Sequence, residues 1–257
     1  MLLLFLQGEF MGMLLILAVA VFIFIKTPTF KGIIGEFIIK LIIGETSEVP
    51  GQEKYVIHDL LLRTDGDNTT QIDHIVINSS GIYVIETKNY KGRIYGDDYQ
   101  KQWTQVLNYG KVKYPIYSPV RQNYKHVCVI KQFFPEYVAV NSLVVFIRGN
   151  VEYIKSNYVC SPWELNRRMN VYSEYTLSPY EMKSIYETLL NNNISDTISR
   201  WQHAENIKRK KSDNDYYVNN NICPKCKGNL IKKRGRYGEY LACCHYPDCK
   251  FTISVKK

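Results

Sequence analysis

The sequence predicts an α/β (α+β) fold, with a central mixed sheet flanked by helices, one apolar helix before it and a small four-cysteine module after it. Three observations carry that prediction. Period-2 apolar stretches alternate with helical signals through the middle of the chain. An uncharged run of sixteen residues, Phe10 to Ile25, stands near the N-terminus. Five of the seven cysteines lie beyond residue 222, at metal-ligand spacing.

As a helix, Phe10–Ile25 spans roughly 24 Å, slightly short of a hydrocarbon core of about 30 Å. Ala18-Val19-Ala20 resembles a signal-peptide cleavage site, but no basic segment precedes the run and Val21–Ile25 continues it past the cut. The reading is therefore an uncleaved, single-pass membrane anchor over residues 1–26. Lys26, Lys31 and Lys40 follow the segment while only Glu9 precedes it, which places the bulk of the chain in the cytoplasm. Lys31–Ile43 is apolar on most faces and predicts a helix, buried or lying at the membrane surface.

Tyr55–Arg63 reads as a strand ending at the turn Thr64-Asp65-Gly66-Asp67. Gln71–Asn78 and Gly81–Lys88 read as a hairpin across Ser79-Ser80. Asn89–Asp98, with glycines at 92 and 96, is a loop or short strand. Ser118–Phe134 predicts a helix with Pro119 at its first position, and Asn141–Ile147 a buried strand. Ser161-Pro162-Trp163-Glu164 and Ser178-Pro179-Tyr180-Glu181 are capping boxes that start helices over Pro162–Met169 and Pro179–Leu190. The domain of residues 27–195 then gives way to a polar, basic linker (196–221) and a module at 222–257. No repeat of solenoid period occurs.

With 257 residues, 46% of them hydrophobic, the chain can bury a real core, and wholesale disorder is excluded. The net charge of +9 is concentrated: residues 200–257 hold 14 Lys and Arg against 5 Asp and Glu, which accounts for all of it. A tail so charged suits a phosphate backbone or an anionic membrane surface.

The hairpin carries the chemistry. With Ser79-Ser80 as a two-residue loop, Asn78 faces Gly81, Val76 faces Tyr83 and Asp73 faces Glu86, with Lys88 on the same side. Opposed carboxylates repel, and a divalent cation with oxygen ligands is the simplest compensation. On the residues alone, ordinary solvent-facing strand charges explain Glu86 and Lys88 equally well. His74 falls on the opposite, apolar face and reads as structural. His126, one helical turn from Gln122, either lines the cleft or faces solvent. Trp103 and the many tyrosines read as core.

Gly35-Glu36, Gln71-Ile72-Asp73-His74-Ile75-Val76-Ile77 and Gly81-Ile82-Tyr83-Val84-Ile85-Glu86-Thr87-Lys88-Asn89-Tyr90-Lys91-Gly92, continuing through Trp103 to Ser118-Pro119 and Gln122-Asn123-Tyr124-Lys125-His126, resemble the NERD (nuclease-related) domain over roughly residues 31–150. That family is assigned to the PD-(D/E)xK nucleases, so the resemblance implies a restriction-endonuclease-like fold. Its signature falls on Asp73, Glu86 and Lys88, with Glu36 as an additional upstream acid and Gln122 as a helix glutamine near the site. It further implies Mg²⁺ or Mn²⁺ held by Asp73, Glu86 and the Thr87 carbonyl, water oriented by Lys88, and Glu36 completing the metal shell or a second site.

Cys223, Cys226, Cys243 and Cys249 form two knuckles that suit tetrahedral zinc in a module too small to fold without it. Cys244 and His245 are alternative ligands by chemistry. The stretch is similar to the C-terminal zinc ribbon of bacterial type I topoisomerases. Lys232, Lys233, Arg234 and Arg236, with Tyr237 and Tyr240, fit binding to single-stranded nucleic acid. The expected function is a membrane-anchored, metal-dependent nuclease acting on nucleic acid, DNA in the first instance. A catalytically inactive nucleic-acid-binding or DNA-processing accessory protein recruited to the membrane is the alternative.

Overall fold

Strand β3 (Gly81–Lys88) has six consecutive buried residues, the pattern of a strand covered on both faces and hydrogen-bonded on both edges. The computed structural model, which describes residues 27–64, 68–170, 176–194, 196–235 and 238–254, sets it at the centre of a five-stranded sheet. The other strands are β1 (Tyr55–Arg63), β2 (Thr69–Asn78), β7 (Val140–Phe146) and β9 (Val159–Cys160), in the order β1-β2-β3-β7-β9. β2 is antiparallel to β3, while β7 runs parallel to β3 and β9 parallel to β7, so the sheet is mixed as expected.

The hairpin register matches the arithmetic, with Asn78 opposite Gly81 and Val76 opposite Tyr83 as far as His74 opposite Ile85. Gly81 at φ +125° closes the turn, and a Cβ there would sit 2.5 Å from the Ala139 carbonyl oxygen. Beyond His74 the ladder changes. Continued pairing would bring Thr87 opposite Ile72; instead the Thr87 N–H donates to Asp73 Oδ2 at 2.8 Å. The side chain has replaced the strand.

Helices cover both faces. Ile39 and Ile43 of α1 (Pro28–Ile43) pack against Tyr83, Ile85, Leu143 and Val145. On the other face Ile75, Ile77, Ile82 and Val84 meet Val127 and Ile130 of α2 (Pro119–Lys131), and Met182, Ile185 and Leu189 of α4 (Pro179–Asn191). The buried Asn123 of α2 donates its amide to Val84 O (2.8 Å), Ser142 Oγ (2.8 Å) and Leu143 O (3.0 Å), pinning the helix across β3 and β7. Both capping boxes are present; the first starts a 3₁₀ turn (Pro162–Glu164) leading into α3 (Leu165–Arg168), the second starts α4.

A second sheet of four strands, in the order β6-β5-β4-β8, joins β3 to α2. It comprises β4 (Arg93–Asp97), β5 (Gln102–Leu107), β6 (Val112–Tyr117) and β8 (Ile154–Lys155). Its inner face packs Ile94, Trp103 and Ile116 against Val144 and Phe146, and Gly96 lies so close to the Trp103 indole that a Cβ would approach within 2.3 Å. Trp103 is core, as expected. Tyr95, Tyr99, Tyr109, Tyr114 and Tyr117 are not: all five are exposed, because they occupy the loops, the edge or the outer side of this sheet.

The second compact unit comprises residues 65–69 and 194–257. Its polar 196–221 stretch, expected as a linker, is the helix α5 (Thr197–Asn219), capped by Asp196 through Ser199 N–H and burying none of its residues. Charges distributed all round a helix leave no apolar stripe to read in the sequence. It ends at the ribbon sheet of β10 (Leu230–Gly235), β11 (Gly238–Cys243) and β12 (Thr252–Ser254). Among the described residues no helix is long and apolar enough to cross a membrane; the expected anchor at 10–25 lies outside them.

Asn123→Ala is expected to destabilise the first unit by about 2 kcal/mol, since the Val84 and Leu143 carbonyls lose a buried donor. Urea denaturation followed by circular dichroism measures this, and an unchanged midpoint would remove Asn123 from the pin.

Candidate active site and zinc centre

Glu86 is only 3% exposed, and a carboxylate there needs partners. It has them on three sides. Lys88 Nζ donates to Oε1 at 2.5 Å, and Gln122 Nε2 donates to the same oxygen at 2.7 Å. His126 Nε2 lies 3.3 Å from Oε2, in electrostatic contact short of a hydrogen bond. Two of these groups come from α2 one turn apart, and Lys88 comes from β3 by the period of two. The other His126 nitrogen, Nδ1, is 2.8 Å from Thr70 Oγ1 on β2, which holds the ring against the carboxylate.

Asp73 stands beside this cluster, held by the Thr87 N–H. Burial, and after it the Glu86 charge, push the Asp73 carboxyl up to about 8, although the Thr87 N–H and Lys88 pull the other way. Burial also opposes ionisation of Glu86, but His126 and Lys88 outweigh it and hold that carboxyl below its ordinary value. The Lys88 ammonium is likewise disfavoured by burial, yet Glu86 keeps it charged. Two acids driven apart in this way, one ionised and one protonated beside an ammonium, are a common preparation for acid–base or metal chemistry. The donor set of two carboxylates and the Thr87 carbonyl is all oxygen and suits Mg²⁺ or Mn²⁺.

Glu36 lies on α1, partly open to solvent, and its charge reaches Asp73, Glu86 and Lys88. Burial first, then the charges of Asp59 and Glu86, raise its carboxyl. Among the described residues, the groups of three or more candidate metal ligands all lie in the ribbon, so Glu36 does not close a three-carboxylate cage with Asp73 and Glu86.

His126, left open between cleft and solvent, is buried against Glu86; its spacing of four from Gln122 was the available signal. Asp59 shows no sequence signal. It interrupts β1 with a left-handed φ of 57° and accepts from Gln71 Nε2. His74 is structural as expected: burial lowers it to about 3, and its Nδ1 lies 2.8 Å from His58 Nδ1.

In the second unit the Sγ atoms of Cys223, Cys226, Cys243 and Cys249 lie within 4.8 Å of one another. Cys223–Cys249 at 3.7 Å and Cys226–Cys243 at 3.3 Å compare with about 3.8 Å for the edge of a tetrahedron with Zn–S bonds of about 2.3 Å. The four-cysteine cluster fits a zinc ribbon. Burial works against a Cys223 thiolate, but the backbone N–H groups of Cys226 and Lys225 overcome it and bring the thiol down to about 7. Cys243, Cys244 and His245 also converge, with His245 Nδ1 3.5 Å from Cys226 Sγ.

The basic cluster of the ribbon is divided by the sheet. Lys233 pairs with Tyr240 on one face, while Lys232 pairs with Leu241 and Arg234 with Glu239 on the other. Lys232 is also neutralised by Glu239 at 2.8 Å. Arg236 and Tyr237 lie outside the described residues.

Comparisons with known proteins find relatives of both units. Residues 31–147 match the model of the nuclease-related domain, and residues 220–257 that of the topoisomerase DNA-binding C4 zinc finger. An uncharacterised protein of Bacillus anthracis is 33% identical over 189 residues, covering 71% of this chain and 86% of its own. DNA topoisomerase 1 of Helicobacter pylori is 62% identical over 30 residues, which are 12% of this chain and 4% of the enzyme. DNA topoisomerase 1 of Methanothermobacter thermautotrophicus is 47% identical over 47 residues, 18% of this chain and 6% of the enzyme. No solved structure matches.

The raised Asp73 carboxyl has a consequence for stability. Its folded pKa lies above the unfolded value of about 4, so protonation favours the fold; that contribution is complete below about pH 4 and is lost as pH rises through about 8. Without added divalent cations the urea midpoint is expected to fall between about pH 5 and 8, and Asp73→Asn to flatten the fall. Identical pH profiles for the two proteins would contradict the burial of Asp73 beside an ionised Glu86.

Proposed function

The chain belongs to the NERD, or nuclease-related domain, proteins, and on that footing we propose that it is a metal-dependent nuclease hydrolysing nucleic-acid phosphodiesters, DNA foremost. The observation that carries the proposal is the convergence of Asp73, Glu86 and Lys88 where the β2–β3 ladder ends, with Asp73 held by the Thr87 N–H and the buried Glu86 held by Lys88 and Gln122. Asp73, Glu86 and the Thr87 carbonyl would hold Mg²⁺ or Mn²⁺, which supplies charge to the scissile phosphate and acidity to the attacking water. Lys88 stabilises charge developing on the phosphate and orients the water. Gln122 and His126 keep Glu86 aimed, and Glu36 lends negative charge at the rim. The zinc ribbon captures nucleic acid, as the DNA-binding description of its matching zinc finger suggests.

A non-catalytic reading has one observation in its favour. Protein groups already face both oxygens of Glu86, so the cluster could serve only to hold the fold. Cleavage decides between them. The full chain is expected to cut single- or double-stranded DNA with Mg²⁺ or Mn²⁺, and Lys88→Ala or Asp73→Asn to lower the rate at least 100-fold while binding persists. Equal rates for wild type and Lys88→Ala across metals and substrates would end the enzymatic proposal.

The proposed location is a membrane, with the chain tethered by residues 10–25 and its nuclease-like domain and ribbon in the cytoplasm. The uncharged run supports this, as does α1, where Ile33, Phe37 and Leu41 expose 53%, 57% and 65% of their surface on successive turns of one side. The tethered chain should stay in the pellet when membranes are washed at alkaline pH, and lysines in place of Leu15 and Val19 should release it. Wild type in the supernatant would remove the anchor from the proposal.

A further inference from the structure

The neutrality of the chain outside its tail conceals a local excess. Residues 91–125 hold seven Lys and Arg, two Asp, no Glu and six tyrosines. This segment is the second sheet and the start of α2. Its register shows how those residues are displayed. Val106 lies between Arg93 and Lys113, and Thr104 lies opposite Tyr95, all sharing the outer face with Tyr117. The inner face carries Ile94, Trp103 and Ile116 and is filled by the core. Rows two residues apart on such a face are separated by about 6.7 Å. One row is therefore cationic and the next rows are aromatic.

Two further contacts prepare the rings. Tyr95 is stacked on Tyr153, with centroids 4.8 Å apart and planes at 25°. Lys125 Nζ stands 5.3 Å from the Tyr117 ring centre. Tyr95, Tyr117 and Tyr153 are 36%, 41% and 39% exposed, so part of each ring meets solvent. The sheet is also joined directly to the candidate site along the chain, since Arg93 follows Lys88 by five residues and Gln122 follows Tyr117 by five. Chain leaving this face at either end enters an element that touches Glu86.

We propose that the outer face of the β4-β5-β6 sheet is a binding platform for single-stranded nucleic acid, which leads the strand to the Asp73–Glu86 site. The proposal rests on the nuclease reading for its destination but not for binding itself. Arg93 and Lys113 meet phosphates, and the tyrosine rings stack on bases. The strand must be single, because a duplex hides its base faces and would offer these rings nothing but backbone. An acidic protein would satisfy the cations equally and is decided against by the same experiment.

The test is fluorescence anisotropy of a labelled twelve-residue oligothymidylate and of a matching duplex, with zinc in place and no other divalent cation. The protein is the full chain carrying Lys232→Gln, Lys233→Gln and Arg234→Gln, so that the ribbon does not mask the sheet. Tyr95→Leu with Tyr117→Leu should weaken oligothymidylate binding about tenfold or more and leave duplex binding unchanged, while the two Tyr→Phe changes retain affinity. Arg93→Gln with Lys113→Gln should reduce the salt slope by roughly 1.4, at about 0.7 per phosphate contact. Leucine variants that bind oligothymidylate like their parent, or that lose strand and duplex alike, would overturn the platform. So would a parent that binds no oligothymidylate. The nuclease proposal fails separately, by absence of cleavage with Mg²⁺ in a chain whose tyrosine dependence of binding is intact.

Discussion

A carboxylate at the centre of a buried strand sets the terms for the rest of the first unit. Glu86 sits where six consecutive β3 residues are removed from water, and its charge is tolerated only because Lys88, Gln122 and His126 surround it. An unpaired charge there would cost several kcal/mol. Those partners come from two elements, so β3 and α2 must meet in one geometry. Asn123 enforces that geometry from the same helix by bridging β3 and β7, and the apolar contacts of Val127 and Ile130 complete it. Chemistry and packing are carried by one helix face.

The second carboxylate is shaped by burial first and by its neighbour second. Removal from water raises the Asp73 carboxyl, and the ionised Glu86 beside it adds to the rise, to about 8. The departure from β-pairing after His74 places it there. By accepting the Thr87 N–H, Asp73 satisfies a ladder donor with a side chain and leaves the strands without further pairing beyond that point. The same break supplies the oxygen-lined edge at which a cation or a phosphate could be handled.

The ribbon shows how far a shared motif reaches. Four thiol groups at the spacing of a zinc site converge closely enough for one ion, so this module's organisation is independent of the sheet chemistry in the first unit. Its cations are less unified. A strand period of two sends Lys233 to one face and Lys232 and Arg234 to the other, and Glu239 neutralises one of them. A run of basic residues in sequence is not yet a basic surface.

The sequence by itself determined the local features of this protein: the hairpin and its register, the capping boxes, and the cysteine ligand set. Each depends on spacing within a few residues, where backbone periodicity leaves little choice. The period of two placed Lys88 beside Glu86 for that reason, but the expected pairing of Asp73 with Glu86 is not formed, since the ladder ends at His74 opposite Ile85. What only the tertiary structure decided were relations across elements. His126 became a partner of Glu86 because α2 lies over β3, and the charge of Glu36 reaches the pair from α1, an element remote in the sequence. Tyr95 and Tyr117 came to the surface because only one face of their sheet meets the core. The polar stretch after residue 196 became a helix with no apolar stripe to announce it. Such relations depend on which face of an element is covered, and that is decided by the packing of residues far apart in the chain.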